Sequence, residues 1–409
     1  MLQRTIRHRI LEALSDTPVV LLNGARQTGK STLAQSLAAD RTGGVRYLTL
    51  DDAGVLSAAE ADPDGFLSGL EAPVVIDEIQ RVPDLLRAIK VRVDRNRVPG
   101  QFLLTGSADV LMLPNVSESL AGRMEIITLW PFSQGEIEGR EEHFPDSLFA
   151  DSLPSTSLEE DDLWQRVLAG GYPEVLARAG ERRRSAWFQS YITTILQRDV
   201  RDIANIADLA ALPRLLQLLA ARAGQLTNLA EVSRTSGLPY ATLNRYMTLL
   251  ETTFLIQTLP AWSANISKRL VKSPKLLLAD TGLACRLVDI RKTESIAAHP
   301  LAGPMLENFV AMEIRKQLTW ADGDYSAFHF RTHTGQKVDI VLEDAGGRLV
   351  GIEVKTAASV RSSDFNGLRT LRDAAEGRMH RGVVLYAGRE VVPFERDLFA
   401  VPVGALWRW

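Results

Sequence analysis

The sequence predicts an α/β protein: a parallel sheet flanked by helices at the N-terminus, then an α-helical middle, then a second, smaller α/β domain. Three observations predict it. The apolar run Val19-Val20-Leu21-Leu22 leads into Asn23-Gly24-Ala25-Arg26-Gln27-Thr28-Gly29-Lys30-Ser31-Thr32 and then into the helix-like Leu33-Ala34-Gln35-Ser36-Leu37-Ala38. A second apolar run, Pro73-Val74-Val75-Ile76, closes on Asp77-Glu78. Far downstream, two strand-like segments carry Asp339 and Glu353-Val354-Lys355. Continuous apolar runs of this length suit strands buried on both faces, as in a parallel sheet.

With 409 residues the chain is too long for one ordinary core, and roughly two to four domains are expected. Hydrophobic content of 45% is enough to bury sizeable cores. A net charge of −3 exerts no global pull on nucleic acid, so any DNA contact has to come from a local basic patch. The single cysteine, Cys285, excludes an intramolecular disulfide and a cysteine-rich zinc site. Its apolar surroundings make it a packing residue. The first ten residues contain no apolar core of signal-peptide length, and no window approaches a membrane span. The expected compartment is the cytoplasm, with no membrane partner.

Taken in order, residues 4–14 read as a short amphipathic helix before the first strand. The stretch from Gly24 to Ser31 matches G-x-x-x-x-G-K-S in strand–loop–helix context, the setting a phosphate-binding P-loop requires. Gly24 and Gly29 permit backbone conformations and close approach that a side chain would block. The amides of Gly24, Ala25, Arg26, Gln27, Thr28, Gly29, Lys30, Ser31 and Thr32 then face phosphate oxygens at a helix N-terminus. Lys30 reaches the β- and γ-phosphates of ATP, and the Ser31 hydroxyl is placed to ligate Mg2+. Val45-Arg46-Tyr47-Leu48-Thr49-Leu50 alternates as a second strand. Val74–Glu78 is a Walker B pattern: Asp77 holds Mg2+ and Glu78 orients and activates the attacking water. In Gln101-Phe102-Leu103-Leu104-Thr105-Gly106-Ser107 a further buried strand ends in hydroxyls. Strand C-termini face the ligand crevice of a parallel sheet, so Thr105 or Ser107 is a candidate reporter on the γ-phosphate; a plain strand-to-turn role is the alternative. Arg123 is a candidate for stabilising transition-state charge, in cis or in a neighbouring subunit, against the alternative of an ordinary surface arginine.

Gly24–Thr32, Val75-Ile76-Asp77-Glu78-Ile79-Gln80, Leu104-Thr105-Gly106-Ser107 and Leu120-Ala121-Gly122-Arg123 together resemble prokaryotic AAA+-type ATPases with a winged-helix middle and a C-terminal nuclease-like domain. The resemblance runs along nearly the whole chain. It implies a catalytic-glutamate (ASCE-type) P-loop NTPase domain over 1–140, a linker and helical segment over 141–210, a winged helix-turn-helix over 211–290 and a nuclease-like domain over 295–409. Rings are common among such ATPases, so a homo-oligomer in which Arg123 reaches a neighbour's site is one implication.

The acidic residues of 136–162, with Pro145 and Pro154, read as a surface linker. Gly170-Gly171-Tyr172-Pro173-Glu174, Arg198-Asp199-Val200 and Asp280-Thr281-Gly282-Leu283 match the resembled family without suggesting chemistry. Pro213 to Leu259 suggests three helices and a short hairpin, with Asn228 as a cap and Ala241–Leu250 as the recognition helix. This resembles a winged helix-turn-helix, and Lys268, Arg269, Lys272 and Lys275 are placed to follow the phosphate backbone of double-stranded DNA. Protein docking is the alternative use of such a module.

In the C-terminal domain, Glu353 and Lys355 share a strand face, and a hairpin brings Asp339 to them. Two carboxylates and a lysine suit a Mg2+ ion that activates water against a phosphodiester. The arrangement resembles the PD-(D/E)XK nuclease fold, with Glu307 on the first helix as an additional acid. Lys337 departs from the resembled pattern, which more often has an acid there; the extra charge favours phosphate and weakens metal binding. Fold does not establish activity. The leading expectation is therefore a Mg2+-dependent ATPase that couples nucleotide state to DNA contact. Its rivals are a nucleotide switch for protein partners with an inactive nuclease-like domain, and an ATP-gated nuclease.

Overall fold

The computed structural model describes residues 2–40, 44–107, 120–154, 162–196 and 211–409. Arg198-Asp199-Val200, the acidic residues Glu159, Glu160 and Asp161, and the Lys268 side chain lie outside the described residues.

Five strands form the N-terminal sheet: β1 (Val19–Asn23), β2 (Arg46–Thr49), β3 (Val74–Asp77), β4 (Phe102–Thr105) and β5 (Met124–Thr128). They run parallel in the order β2-β3-β4-β1-β5. All five residues of β1 are buried, because β4 and β5 flank it and helices cover both faces. The alternation of side chains sorts the core. Leu21, Ile76 and Leu104 point to the side carrying α3 (Ala53–Ala61), α4 (Pro63–Ser68) and α5 (Asp84–Arg95). Val20, Leu22, Val75 and Leu103 point to α1 (Arg7–Asp16) and α2 (Lys30–Asp40). Each such Leu or Val, fully withdrawn from water, contributes roughly 1.5–3 kcal/mol. Because every strand is parallel, the C-terminal ends of β1, β3 and β4 lie on one edge. The loop after β1, Asp77 and Thr105 are gathered there by topology alone.

The middle region differs from the expected linker. Gln134–Glu138 and Phe144–Phe149 are helices, and two acids, Glu136 in the first and Glu142 between the two, are buried. Glu136 accepts from Arg4 Nη1 at 2.7 Å and from Thr5 N at 2.9 Å. Glu142 accepts from Gly135 N at 2.9 Å and from the Ser133 hydroxyl. Charge density alone marked these residues as solvated; internal donors are what allow them to be buried.

From 211 onwards three helices (Ala211–Ala220, Leu229–Ser236, Tyr240–Thr252) precede an antiparallel pair, β6 (Ile256–Leu259) and β7 (Lys275–Leu278). Asn228 caps the second helix by accepting from Glu231 N at 3.1 Å, and Gly237 ends it at φ +74°. The connection between β6 and β7 is not a short hairpin; it contains a further helix, Ile266–Val271.

A long helix, Ala302–Gln317, then packs on a six-stranded mixed sheet. Its strands are β8 (Tyr325–Arg331), β9 (Lys337–Asp344), β10 (Leu349–Val354), β11 (Met379–Tyr386), β12 (Val392–Pro393) and β13 (Leu398–Pro402). Their order is β12-β13-β11-β10-β9-β8. No boundary divides the interior of the middle region from that of this domain: Leu278, Phe309, Ile340, Leu385 and Trp407 belong to one continuous core. The long helix also reaches the segment that follows the N-terminal sheet, where Lys316 Nζ donates to Phe132 O at 3.0 Å and Glu313 accepts from Gln134 N at 2.9 Å.

Candidate functional site

The loop after β1 is shaped by its glycines. Gly24 has φ +141°, and a Cβ there would lie 2.3 Å from Leu129 O, so no side chain fits. Gly29 sits at φ +94° and Gln27 at φ +64°. The turn places Lys30 and Ser31 at the start of α2. Lys30 Nζ donates to Gly24 O at 3.0 Å and Ala25 O at 2.8 Å, and Thr28 Oγ1 donates to Ala25 O at 2.9 Å.

Asp77 is the centre of the cluster and is buried. Its Oδ1 accepts from Ser31 Oγ at 3.0 Å and from the Thr105 hydroxyl. Its Oδ2 accepts from Tyr47 OH at 2.7 Å and from Thr49 Oγ1 at 3.3 Å. Among the described residues, every side-chain donor on Asp77 is thus a neutral hydroxyl. Burial and the adjacent carboxylate push the Tyr47 phenol well above its ordinary range. Glu78 follows in a left-handed conformation (φ +60°, ψ +44°), which costs a non-glycine residue of order 1 kcal/mol or more. Its amide donates to Thr105 Oγ1 at 3.2 Å, and its carboxylate accepts from Gln80 Nε2, which also donates to Ser107 Oγ at 3.1 Å. Thr105 therefore braces Asp77 and Glu78.

Arg123 lies at the other end of the sheet. It precedes β5, its carbonyl accepts from Val19 N at 3.2 Å, and its guanidinium pairs with Asp94, the Nη2–Oδ2 leg being 3.2 Å. The length of β1, roughly 15 Å, separates it from the loop of its own chain, so the cis role expected of it is corrected by topology.

Residues not anticipated from the sequence complete the surroundings. Arg4 is buried, donates to Trp130 O at 2.9 Å and to Thr28 O, and lies 3.9 Å from the Phe132 ring centre. A cavity of about 810 Å3 opens beside the loop, lined by Leu2, Arg4, Thr28, Thr32, Phe132 and Leu176 among others. Tyr191, from the helix Glu181–Thr194, donates to Arg26 O at 3.3 Å and meets Tyr172 OH at 3.0 Å. Tyr47 and Thr49 had a legible signal, because the period-2 pattern of their strand puts both on one face beside Asp77. Arg4 and Tyr191 had none.

The family-matching motifs without assigned chemistry interlock. Asp280 accepts from Gly171 N at 2.7 Å and from Leu283 N at 2.9 Å. Phe132 N donates to Gly171 O at 2.8 Å, and a Cβ on Gly171 would lie 2.2 Å from Phe132 O. Gly170-Gly171 is thus the seam between the sheet domain and the helix that Asp280 caps.

The four C-terminal candidates are also brought together. Asp339 and Glu353 come from neighbouring strands, Lys355 follows β10 and Glu307 faces them from the long helix. Asp339 Oδ1 pairs with Lys337 Nζ at 2.8 Å and with Lys275 Nζ at 3.0 Å; its Oδ2 accepts from Val354 N at 3.1 Å. Glu307 pairs with Lys337 at 2.9 Å and Lys275 at 3.2 Å. Lys355 Nζ lies 3.2 Å from Glu353 Oε1. Burial opposes ionisation of Asp339, yet Lys275 and Lys337 hold its carboxyl well below the usual range. Burial, then the Asp339 charge, pushes Glu353 up to about 8 and raises Glu307. Two members of the expected DNA-contacting set are corrected here. Lys275 is buried in this cluster, and Arg269 is held by Glu343 at 2.5 and 3.0 Å.

The sheet order and the glycine loop define an ATPase-type nucleotide-binding domain, and a family model described as "AAA domain" matches residues 16–138. Two domains of unknown function, DUF8612 and DUF4143, match residues 160–294 and 302–406. The chain is 32% identical over 402 residues to "Uncharacterized protein Rv2008c" of Mycobacterium tuberculosis and equally to "Uncharacterized protein Mb2031c" of Mycobacterium bovis, covering 98% of this chain and 83% of each relative. It belongs to the same family as these two proteins. Among solved structures, a RuvB variant from Thermotoga maritima is similar at 18% identity, covering 63% of this chain and 90% of that one, with a TM-score of 0.30. Among the described residues, no helix is long and apolar enough to cross a membrane.

Proposed function

We propose that the chain is a Mg2+-dependent ATPase whose nucleotide state is passed to its middle and C-terminal regions. The observation that carries this is the Ser31–Asp77 contact of 3.0 Å at the mouth of the glycine loop, with Glu78 next in sequence. A hydroxyl and a carboxylate converging without a cationic side chain are a donor set suited to Mg2+. Ser31 and Asp77 would hold the ion, which when bound neutralises charge on the β- and γ-phosphate oxygens. The loop amides and Lys30 bind and orient the triphosphate. Glu78 orients a water, whose oxygen bonds to the γ-phosphorus as the bond to the β–γ bridging oxygen breaks; the water proton passes to Glu78 and ADP departs. Gln80 and Thr105 position Glu78. The cavity beside Arg4 and Phe132 is of a size for the nucleoside, within the range typical of ligand pockets.

Tyr191 on Arg26 O and the Phe132–Gly171–Asp280 seam support transmission from the loop to the helices beyond. One output is double-stranded DNA, read by a winged helix-turn-helix over 211–290 whose recognition helix exposes Tyr240, Asn244, Arg245 and Thr248. A specific observation favours protein docking instead: Lys275 and Arg269 are committed internally, while Ile266, Leu270 and Val271 are exposed at 70–84%. In a homo-oligomer, Arg123 would act on a neighbour's nucleotide rather than its own.

The test is ATP hydrolysis with Mg2+, with and without double-stranded DNA at two salt concentrations, beside Glu78→Gln. A DNA-stimulated rate abolished by the variant upholds DNA output. A rate indifferent to DNA moves the output to a protein partner. Absence of both nucleotide binding and hydrolysis overturns the ATPase reading.

A further inference from the structure

The resemblance to metal-dependent nucleases implies a divalent cation among Glu307, Asp339 and Glu353, and the residues present do not fit one. A divalent cation needs carboxylate oxygens that no fixed cation already neutralises at close range. Asp339 has spent Oδ1 on two ammonium groups and Oδ2 on the Val354 amide. Glu307 places one oxygen on Lys275 and the other on Lys337. Glu353 Oε2 is the remaining carboxylate oxygen of the three without a partner. The inner carboxylates are also matched in number by lysines. Three carboxylates, Glu307, Asp339 and Glu353, face three lysines, Lys275, Lys337 and Lys355, with Asp364 at 4.0 Å from Lys355 on the rim. A dication added to this set would be buried against ammonium groups at close range, where Coulomb repulsion is strong.

Lys275 is not a surface side chain folded inwards. It belongs to β7, where it pairs with Leu259, and it bridges Leu226 on its other side. Three residues on, Leu278 is gripped from the same helix that carries Glu307: Asn308 Oδ1 accepts from Leu278 N at 2.7 Å, and Asn308 Nδ2 donates to Leu278 O at 2.9 Å. The other strand of the pair runs into the edge of the C-terminal sheet. Trp262 N donates to His329 O at 2.6 Å, and His329 N donates to Pro260 O at 2.8 Å. The backbone that carries the Lys275 ammonium is thus fixed on both sides by this seam.

We propose that this cluster is a cationic clasp: Lys275, with Lys337, stands where a nuclease-like site would hold its metal, locks the β6–β7 pair to the Glu307 helix, and leaves the C-terminal domain without metal-dependent phosphodiester cleavage. The domain then works as part of one rigid body with the middle region. This does not depend on the P-loop chemistry above, because the clasp residues lie outside the ATPase domain.

The test is Mn2+ binding by electron paramagnetic resonance on the full chain without nucleotide, wild type against Asp339→Asn. Any Mn2+ held near Asp77 is common to both, so the two should bind the same number of ions. Loss of one Mn2+ in Asp339→Asn overturns the proposal, as does Mg2+- or Mn2+-dependent DNA cleavage by the wild type that this variant abolishes. A second measurement is the melting temperature of Lys275→Met. Removing the ammonium should lower the midpoint without metal, and Mn2+ should then raise it further in the variant than in the wild type, any rise from an ion near Asp77 being common to both. An equal rise in both overturns the proposal. If Lys275→Met does not fold, the Asp339→Asn comparison decides alone.

Discussion

Asp77 and Asp339 are the same residue in similar places, each buried on a sheet strand, and their neighbours give them opposite capacities. Around Asp77 stand Ser31, Tyr47, Thr49 and Thr105, all hydroxyls. Hydroxyls satisfy lone pairs but do not cancel charge, so the carboxylate keeps its attraction for a cation. Around Asp339 stand Lys275 and Lys337. Ammonium groups cancel the charge and occupy the space a cation would take. Competence for metal lies in the protonated partners that the fold supplies to the aspartate rather than in the aspartate itself.

The largest expected effect tests the Asp77 half of that contrast. Glu78→Gln should lower the rate of ATP hydrolysis by roughly 10²–10⁴-fold, the usual contribution of a positioned general base, while fluorescent ATP-analogue binding persists. A variant with near wild-type turnover would remove Glu78 from the mechanism. Next, an ammonium can be imported to the hydroxyl side. Tyr47→Lys should raise the Mg2+ concentration for half-maximal hydrolysis about tenfold, as a partly exposed ion pair is screened but not silent. An unchanged Mg2+ requirement would show that partner charge does not govern this site.

A third carboxyl sharpens the comparison. Glu142 has hydroxyl and amide partners and no cation among its hydrogen bonds, and burial, followed by the Glu313 charge, pushes it up to about 8. Its protonated form is the one the fold prefers. The associated stability is complete below the unfolded value near 4.5 and is lost as pH rises through about 8, at about 1.4 kcal/mol per unit of displacement at most. Melting temperature should fall across that window, and Glu142→Gln should flatten the fall. An unchanged slope would place the titration elsewhere. The smallest effect belongs to Arg123. Its exposed pair with Asp94 is at the far edge of the sheet, so Arg123→Ala should leave the melting temperature unchanged. Any loss of hydrolysis that deepens with protein concentration would identify a role in a neighbouring subunit.

The parallel sheet and the Asp77 site were legible in the sequence because both rest on short-range pattern. Val19–Leu22 and Val74–Ile76 are buried runs, the glycine spacing sets the loop, and strand period places Tyr47 and Thr49. Residues 136–149 misled, since Glu136 and Glu142 look solvated until Arg4 and Gln317 arrive from elsewhere. The basic set near 268–275 misled for the same reason: Arg269 and Lys275 are neutralised by Glu343, Glu307 and Asp339, more than thirty positions away.

The sequence by itself determined the strand–loop–helix built on Gly24 and Gly29, the acids that close β3, and the strands that carry Asp339 and Glu353. These depend on residues close together in the chain, where backbone geometry and side-chain period leave few choices. The tertiary structure alone decided which carboxylates remain available to a cation, that Arg123 faces away from its own loop, and that the middle region and C-terminal sheet share one core. Those outcomes are set by long-range partners, because the ionisation and reach of a buried side chain depend on the groups packed around it.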